Sequence, residues 1–384
     1  MRGQLLKLLF SFTIILLFLG SLLSTLVWYT YNSNDVVVYQ PPPQRKGGAQ
    51  PSGSCKGCSK VEPHQPPPQK KRDAQTSEVC KGCRELVDKV IKRYSIPWKK
   101  QENNHQKFRT RLRNSCQGFE KAIITQANTP VGTKINYDGE KKRSIQVTPE
   151  IFKTFIKDHP FPNKTLDTCA VVGNGGILTN SSCGNQIDSA QFVIRCNLPP
   201  LENGYEKHVG VKTDLVTANP SIFVEKYGSL MGRRRPFVES LRSYGNSLLL
   251  LPTFSFGQNT AVSMRALYTI EDFESPARPV SINPAYLQNL ASFWRSQGLR
   301  EMRLSTGVMM ASLALELCAN VHLYGFWPFG NHPHDLRVLT NHYYDDRKSK
   351  TKIHAMPVEF EFLLQLHSQG VLRLHLGDCQ PGEK

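Results

Sequence analysis

From Leu8 to Tyr29 the chain carries no charged side chain, and Leu, Ile, Phe and Val dominate. About 22 uncharged residues are enough to cross a ~30 Å hydrocarbon core, and such a run satisfies its backbone in lipid only as a helix. Arg2 and Lys7 precede the run, and the next charge after it is the acid Asp35. Positive charge before the span and none just after it places the N-terminus in the cytosol. A cleaved leader would have an apolar core of only ~7–15 residues ending at a small-residue site. This run is longer and ends in Trp28 and Tyr29, side chains enriched at membrane interfaces. The sequence therefore predicts a cytoplasmic tail (1–7), a signal anchor (8–29) and a lumenal remainder.

A lumenal compartment gives meaning to other features. There are 10 cysteines, and two Asn-x-Ser/Thr sites, at Asn163 and Asn180, become candidate glycan carriers. The net charge of +17 would suggest nucleic acid, but residues 1–116 hold 20 Lys/Arg against 7 Asp/Glu, leaving only +4 beyond them. The basic excess sits beside the membrane, where it favours acidic headgroups or glycans. A nucleic-acid partner is excluded by compartment.

Residues 35–80 are rich in Pro, Gln, Lys, Ser and Gly and too poor in large apolar residues to form a core. The stretch contains a repeat. Pro41-Pro42-Pro43-Gln44 returns at Pro66-Pro67-Pro68-Gln69, and Cys55-Lys56-Gly57-Cys58 returns at Cys80-Lys81-Gly82-Cys83. The offset is 25 residues, with 12 of 18 positions identical. Two copies do not make a solenoid, so a polyproline-leaning spacer is expected. The paired Cys-x-x-Cys units admit disulfides, unpaired thiols, or a metal or redox role; the oxidising lumen favours disulfides. An interchain bridge is one arrangement they permit, and with it a homodimer joined through stem or domain. Helical spacing over 84–94, and a second helix over 106–124, predict a collar between a stem (30–104) and a catalytic domain (105–384).

From Cys169 onward short apolar runs alternate with helical stretches. Cys169–Val172, Phe192–Ile194, Ser247–Pro252, Val321–Tyr324 and Val371–Leu376 read as buried strands; Gly307–Ala319 and Val358–Ser368 read as helices. That alternation predicts a single α/β domain with a mainly parallel, Rossmann-like sheet covered by helices.

Five clusters within it carry chemistry. Gly173-Asn174-Gly175-Gly176 follows the first strand, where backbone N–H groups can approach a phosphate or simply form a tight turn. It is not Gly-x-Gly-x-x-Gly, which argues against a dinucleotide. Arg195-Cys196-Asn197 and Asn219-Pro220-Ser221 also follow strands, the place where open α/β sheets bind ligands. Ser305-Thr306-Gly307 opens an apolar helix, either as a cap or as an anion site. Gly325-Phe326-Trp327-Pro328-Phe329 places aromatics after a strand, for stacking or for core. His342-Tyr343-Tyr344-Asp345 and His354, with Glu359 five residues on, supply candidate bases near neutral pH. Pro357 suits the first turn of the helix that follows His354. No Asp-x-Asp is present to hold a divalent metal on a nucleotide sugar.

In this order the clusters resemble the motifs of the animal sialyltransferases. The long motif looks like Cys169–Asp214, the short motif like Leu304–Phe326, the third like His342–Asp345, and the very short one like His354 with Glu359. The resemblance covers roughly 105–380 and is most similar to the α-2,8 branch, its ganglioside and O-glycan types, with types VI and V nearest. It implies the sialyltransferase variant of the GT-A type, located in the Golgi membrane as a single-pass type II protein. It implies a metal-independent, inverting transfer from CMP-sialic acid to the C8 hydroxyl of a terminal sialic acid on a glycolipid or glycoprotein. His354 would be the general base and His342 would neutralise the departing phosphate. Asn174, Asn197, Asn219, Pro220, Ser221, Ser305, Thr306, Gly307 and Trp327 would hold the donor. Bridges Cys169–Cys318 and Cys183–Cys379 are implied, with Cys196 buried and free. Members that build long polymers carry a basic stretch before the short motif. Here 271–303 sets four Arg against four Asp/Glu, so transfer of one or a few residues is expected. An inactive sialoglycan-binding protein on the same fold is the alternative.

Overall fold

The computed structural model describes residues 83–140, 142–300, 303–345 and 356–380. The expected anchor, the stem repeat and His354 lie outside the described residues. No helix among the described residues is long and apolar enough to cross a membrane.

Seven strands form one sheet. They are β3 (Leu166–Val172), β4 (Phe192–Arg195), β5 (Leu215–Thr217), β6 (Leu248–Leu251), β7 (Arg278–Ser281), β8 (Cys318–Tyr324) and β9 (Arg373–His375); β1 (Lys134–Asn136) and β2 (Ser144–Gln146) make a separate antiparallel pair. The order is β7-β6-β5-β4-β3-β8-β9, with every neighbouring pair parallel. The main helices are α1 (Cys83–Tyr94), α2 (Glu102–Cys116), α3 (Pro220–Tyr227), α4 (Gly257–Asp272), α5 (Pro284–Ser296), α6 (Thr306–Leu317) and α7 (Met356–Ser368).

The strands read as continuous apolar runs because both faces are covered. Cys169 and Val171 join one core with Leu248 and Leu250, whereas Ala170 and Val172 join a second with Leu249 and Leu251. The period of two thus splits each run between two helical layers. The first layer holds α1, α2, α5, α6 and α7; the second holds α3 and α4. Each large aliphatic side chain removed from water stabilises by about 1.5–3 kcal/mol.

Several boundaries differ from those expected. The helix predicted over 106–124 ends at Cys116, where Gln117 (φ 63°) and Gly118 (φ 86°) turn left-handed and both return N–H groups to the Arg113 carbonyl. The chain then runs extended, and Ile124 N–H bonds the Ser281 carbonyl at the sheet edge. The helix predicted to reach Ala319 stops at Leu317, because Cys318 is already in register with Leu166 on β3. Strand β7 was not among those expected. It opens Arg278-Pro279, and proline is tolerated there because the strand lies at an edge. Nor do the two N-terminal helices form a collar. Val87, Val90, Phe108, Leu112 and Cys116 are buried in the same core as β3, and Trp98 donates to the Leu372 carbonyl at 3.0 Å. The packed body therefore takes in residues before 105.

Both disulfides implied by the resemblance are formed. Cys169–Cys318 staples β3 to β8, and Cys183–Cys379 ties the loop after β3 to the segment after β9. Cys116 and Cys196 are free and buried, and burial pushes both thiols up to about 12. Asn163 and Asn180 are both exposed.

Candidate active site

The strand order reverses between β3 and β8, so the crevice at their carboxyl ends is a topological switch point, where open α/β sheets bind ligands. Four of the five clusters converge there. Gly173 N–H donates to the Tyr324 carbonyl at 2.8 Å and Gly175 N–H to the Gly325 carbonyl at 3.1 Å. A Cβ on Gly175 would lie 2.6 Å from the Gly325 oxygen, and one on Gly173 2.9 Å from it. These glycines therefore let two loops touch backbone to backbone; their N–H groups are not aimed at a phosphate.

Asn174 is held by its Nδ2, which donates to the Cys196 carbonyl at 2.7 Å. Its Oδ1 is buried without a hydrogen-bond partner among the described residues. The third motif lies directly over it: Tyr343 N–H donates to the Asn174 carbonyl at 3.0 Å, and Gly175 pairs with His342 in an antiparallel bridge. Tyr343 Oη–H reaches the Pro200 carbonyl at 2.6 Å, which fixes the loop after Asn197. The Nδ1 of His342 lies 2.6 Å from Asp345 Oδ2, and the ring stacks on Tyr344 at 5.1 Å.

A hydrogen-bond chain links the next two clusters. Asn197 (φ 64°) adopts the left-handed conformation that Asn tolerates. Its Oδ1 accepts from Asn219 N–H at 2.9 Å, and Asn219 Oδ1 accepts from the Thr306 hydroxyl at 3.2 Å. Asn219 and Pro220 open α3, with the proline in the first turn. Ser305 caps α6, its Oγ accepting from Val308 N–H. Ser305 N–H in turn donates to Glu359 Oε1 at 2.7 Å, joining α7 to the start of α6. Glu359, five residues after His354, is thus engaged with Ser305. Gly307 is required for packing, since a Cβ there would lie 2.8 Å from the Phe326 ring.

Beside this chain a cavity of about 900 Å³ opens at the carboxyl ends of β5, β6 and β7. Asn219, Pro220, Ser221 and Thr306 line it; Asn174, Asn197, Ser305, Gly307, Trp327 and His342 do not. Trp327 was expected to line the donor pocket. It is buried instead, with Nε1–H on the Asn331 carbonyl at 2.8 Å and its ring against Phe329 and Phe360. Arg195 is likewise buried, donating to the Val209 and Lys212 carbonyls, and serves the scaffold.

Residues 123–371 match the family model of glycosyltransferase family 29 (sialyltransferase). The chain belongs to that family. Among curated relatives of this sialyltransferase, human alpha-2,8-sialyltransferase 8F is 45% identical over 286 residues, covering 74% of this chain and 72% of that one. Human alpha-2,8-sialyltransferase 8E is 45% identical over 295 residues, covering 77% and 78%. The alpha-N-acetylneuraminide alpha-2,8-sialyltransferase of Xenopus tropicalis is 43% identical over 299 residues, covering 77% and 85%.

Sequence reasoning missed the far wall of the sialyltransferase's cavity: Asn136, Asp138, Gln258, Asn259, Gln288 and Arg303. These residues come from the end of β1 and the loop after it, the start of α4, helix α5 and the segment before α6. None forms a short motif, so only the fold brings them together. Burial pushes the Asp138 carboxyl above the usual range, against lowering by Ser255 and Arg303. Among the described residues no group of three or more His, Cys, Asp or Glu is placed to hold a metal ion.

Proposed function

We propose that this sialyltransferase moves sialic acid from CMP-sialic acid to the C8 hydroxyl of a terminal sialic acid on a glycolipid or glycoprotein glycan, one or a few residues at a time. The observation that carries this reading is the convergence of distant segments at one end of the sheet: Asn174 under His342, and Asn197 joined through Asn219 to Thr306. The names of the similar curated relatives support the acceptor class.

The roles follow from chemistry. The bond from C2 of the donor sugar to the phosphate breaks, CMP departs, and C2 bonds to the acceptor O8 with inversion. The proton of that hydroxyl goes to His354, acting as general base. His342 meets the leaving phosphate, where charge develops in the transition state. With its Nδ1–H given to Asp345, the ring can donate to phosphate through Nε2 only when doubly protonated, so the imidazolium is the competent form. Asn174 offers an unused Oδ1, and the N–H groups at the start of α6 offer a positive helix end. Asn197, Asn219, Pro220, Ser221, Ser305, Thr306 and Gly307 position the donor. No metal enters this scheme.

The run Leu8–Tyr29, the two formed disulfides and the exposed sequons Asn163 and Asn180 support a type II Golgi membrane protein with its catalytic domain in the lumen.

The test uses the full chain in detergent with CMP-sialic acid, a sialylated acceptor and its asialo counterpart, with EDTA present. The wild type should extend only the sialylated acceptor, through an α-2,8 linkage. His354→Ala should abolish transfer, with melting temperature and CMP affinity near those of the wild type. Retained turnover in the variant removes His354 from the mechanism, and strong inhibition by EDTA refutes the metal-free scheme. Glycan binding without any transfer by the wild type would make the chain a binding protein.

A further inference from the structure

The cavity is larger than the motif residues account for. At about 900 Å³ it lies near the top of the range for small-molecule sites, ~300–1,000 Å³. Part of its wall is Asn219, Pro220, Ser221 and Thr306, the residues assigned to the donor. The rest is assigned to nothing. That second wall combines apolar Leu287, Ala291 and Met309 with amides, one carboxyl (Asp138) and two guanidiniums (Arg295 and Arg303).

Arg303 stands out among these. Its guanidinium lies over the Phe256 ring at 5.1 Å, and it makes no hydrogen bond or close ion pair with any other described residue. Stacking fixes the plane of the fork while leaving its N–H donors open, the arrangement suited to a carboxylate. Arg295, by contrast, already donates to Ser292 Oγ at 3.0 Å. Asp138 Oδ1 is buried without a hydrogen-bond partner among the described residues. It is held by the Gly139 N–H bond to the Ser255 carbonyl, next to Phe256. A cation and a carboxyl on one wall fit a ligand that is both anionic and polyhydroxylated.

We propose that Arg303 binds the carboxylate of the acceptor's terminal sialic acid and that Asp138 accepts hydrogen bonds from hydroxyls of the same sugar, making this wall the acceptor subsite. The inference rests on the α-2,8 reading above. It also gives a physical reason for short products. Segment 271–303 is neutral overall, and of its four arginines only Arg295 and Arg303 line the cavity. The wall offers two neighbouring guanidiniums, not a track for a polyanion.

The experiment compares wild type, Arg303→Gln, Arg303→Lys and Asp138→Asn, each as the full chain in detergent, on a sialylated acceptor and on its carboxyl methyl ester. A charge-assisted hydrogen bond corresponds to roughly a 10- to 100-fold change in binding. Arg303→Gln should raise the acceptor KM by about that factor, while the KM for CMP-sialic acid and the affinity for CMP stay within about twofold and the melting temperature stays that of the wild type. Arg303→Lys should recover part of the loss. The wild type should discriminate against the methyl ester, and Arg303→Gln should not. An unchanged acceptor KM in Arg303→Gln overturns the proposal. So does a rise confined to the donor KM, which would put the guanidinium on the donor, or equal use of ester and acid by the wild type. Transfer by the wild type to asialo acceptors alone overturns the α-2,8 reading itself, a result distinct from each of these.

Discussion

Two parts of the sheet's carboxyl end behave differently. At β3 and β8 the loops meet backbone to backbone, their N–H groups are consumed by each other's carbonyls, and Cys169–Cys318 staples the strands beneath them. At β5, β6 and β7 the loops part around a cavity lined by polar and methionine side chains. The first is a rigid seam and the second is open space. The difference teaches that a motif can be dense in functional-looking residues and still act largely as scaffold. The glycines after β3 close the seam, and the His342–Asp345 loop lies over it, with Tyr343 N–H on the Asn174 carbonyl and Gly175 bridged to His342.

The sharpest way to break this comparison is to put a side chain into the seam. Gly175→Ala would place a Cβ 2.6 Å from the Gly325 oxygen, which is backbone and cannot swing away. One loop must move, and the bonds from Gly173 and Gly175 go with it. The expected outcome is a loss of several kcal/mol of stability, read as loss of folded protein or a melting temperature lowered by 10 °C or more (about 2–4 °C per kcal/mol in a domain of this size). A Gly175→Ala protein that melts like the wild type would show that the seam is loose and that its glycines serve ligand approach after all.

What the sequence disclosed follows the same division. Runs such as Leu248–Leu251 announce a strand buried on both faces, because an apolar run this short, closed by Pro252, has the length of a strand and not of a helix. The motif residues were legible because they sit next to one another. Arg303 and Asp138 were not, since they lie 165 positions apart and meet only through the fold. Helix α2 was extended too far because its terminating left-handed residue is Gln117, which carries no stop signal, and Gly118 behind it was read through. Trp327 looked like a stacking platform, yet a tryptophan after a strand packs just as well against Phe329 and Phe360. Sequence pattern reports which residues are apolar or reactive. It does not report which way a loop side chain turns.

Helix α6 connects the two regions, its start at the cavity and its end at Cys318, and it offers a second, smaller test. Glu316 is fully buried near that end, accepting from Tyr286 Oη–H at 2.8 Å, and burial pushes its carboxyl up to about 7. The native state holds this proton more tightly than the unfolded chain, whose carboxyl titrates near 4.5. The stabilisation is therefore complete below about pH 4.5 and lost as pH rises through 7. Glu316→Gln keeps an oxygen for Tyr286 and removes the titration. It should match the wild type at pH 5 and exceed it at pH 8 by up to about 3 kcal/mol. Buried and half-buried histidines oppose this trend. Burial lowers His322 and His367 to about 4 and depresses His105 and His375, so their contribution is lost as pH falls from about 6.5 towards 4. Denaturant melts of both proteins across pH 5–8 decide the matter. Parallel curves would mean that Glu316 reaches solvent and that the closed region is not dry at the end of α6.

The smallest effect belongs to the open side, where a change should touch function and leave the fold alone. Thr306→Val deletes the hydroxyl that donates to Asn219 Oδ1 and keeps the shape of the side chain. A single neutral hydrogen bond is worth about 0.5–1.5 kcal/mol, and both partners border the cavity, so stability should change by less than about 1 kcal/mol. Asn219, however, is placed by two bonds, from its own N–H to Asn197 and to its Oδ1 from Thr306. Freed on one side, it would hold the donor less well. The KM for CMP-sialic acid should rise by roughly 3- to 10-fold with the acceptor KM little changed. That pattern is the mirror image of the one expected for Arg303→Gln, so the two variants together divide the cavity into a donor wall and an acceptor wall. If Thr306→Val and Arg303→Gln shift the same KM, the cavity has one subsite and the division between its walls is wrong.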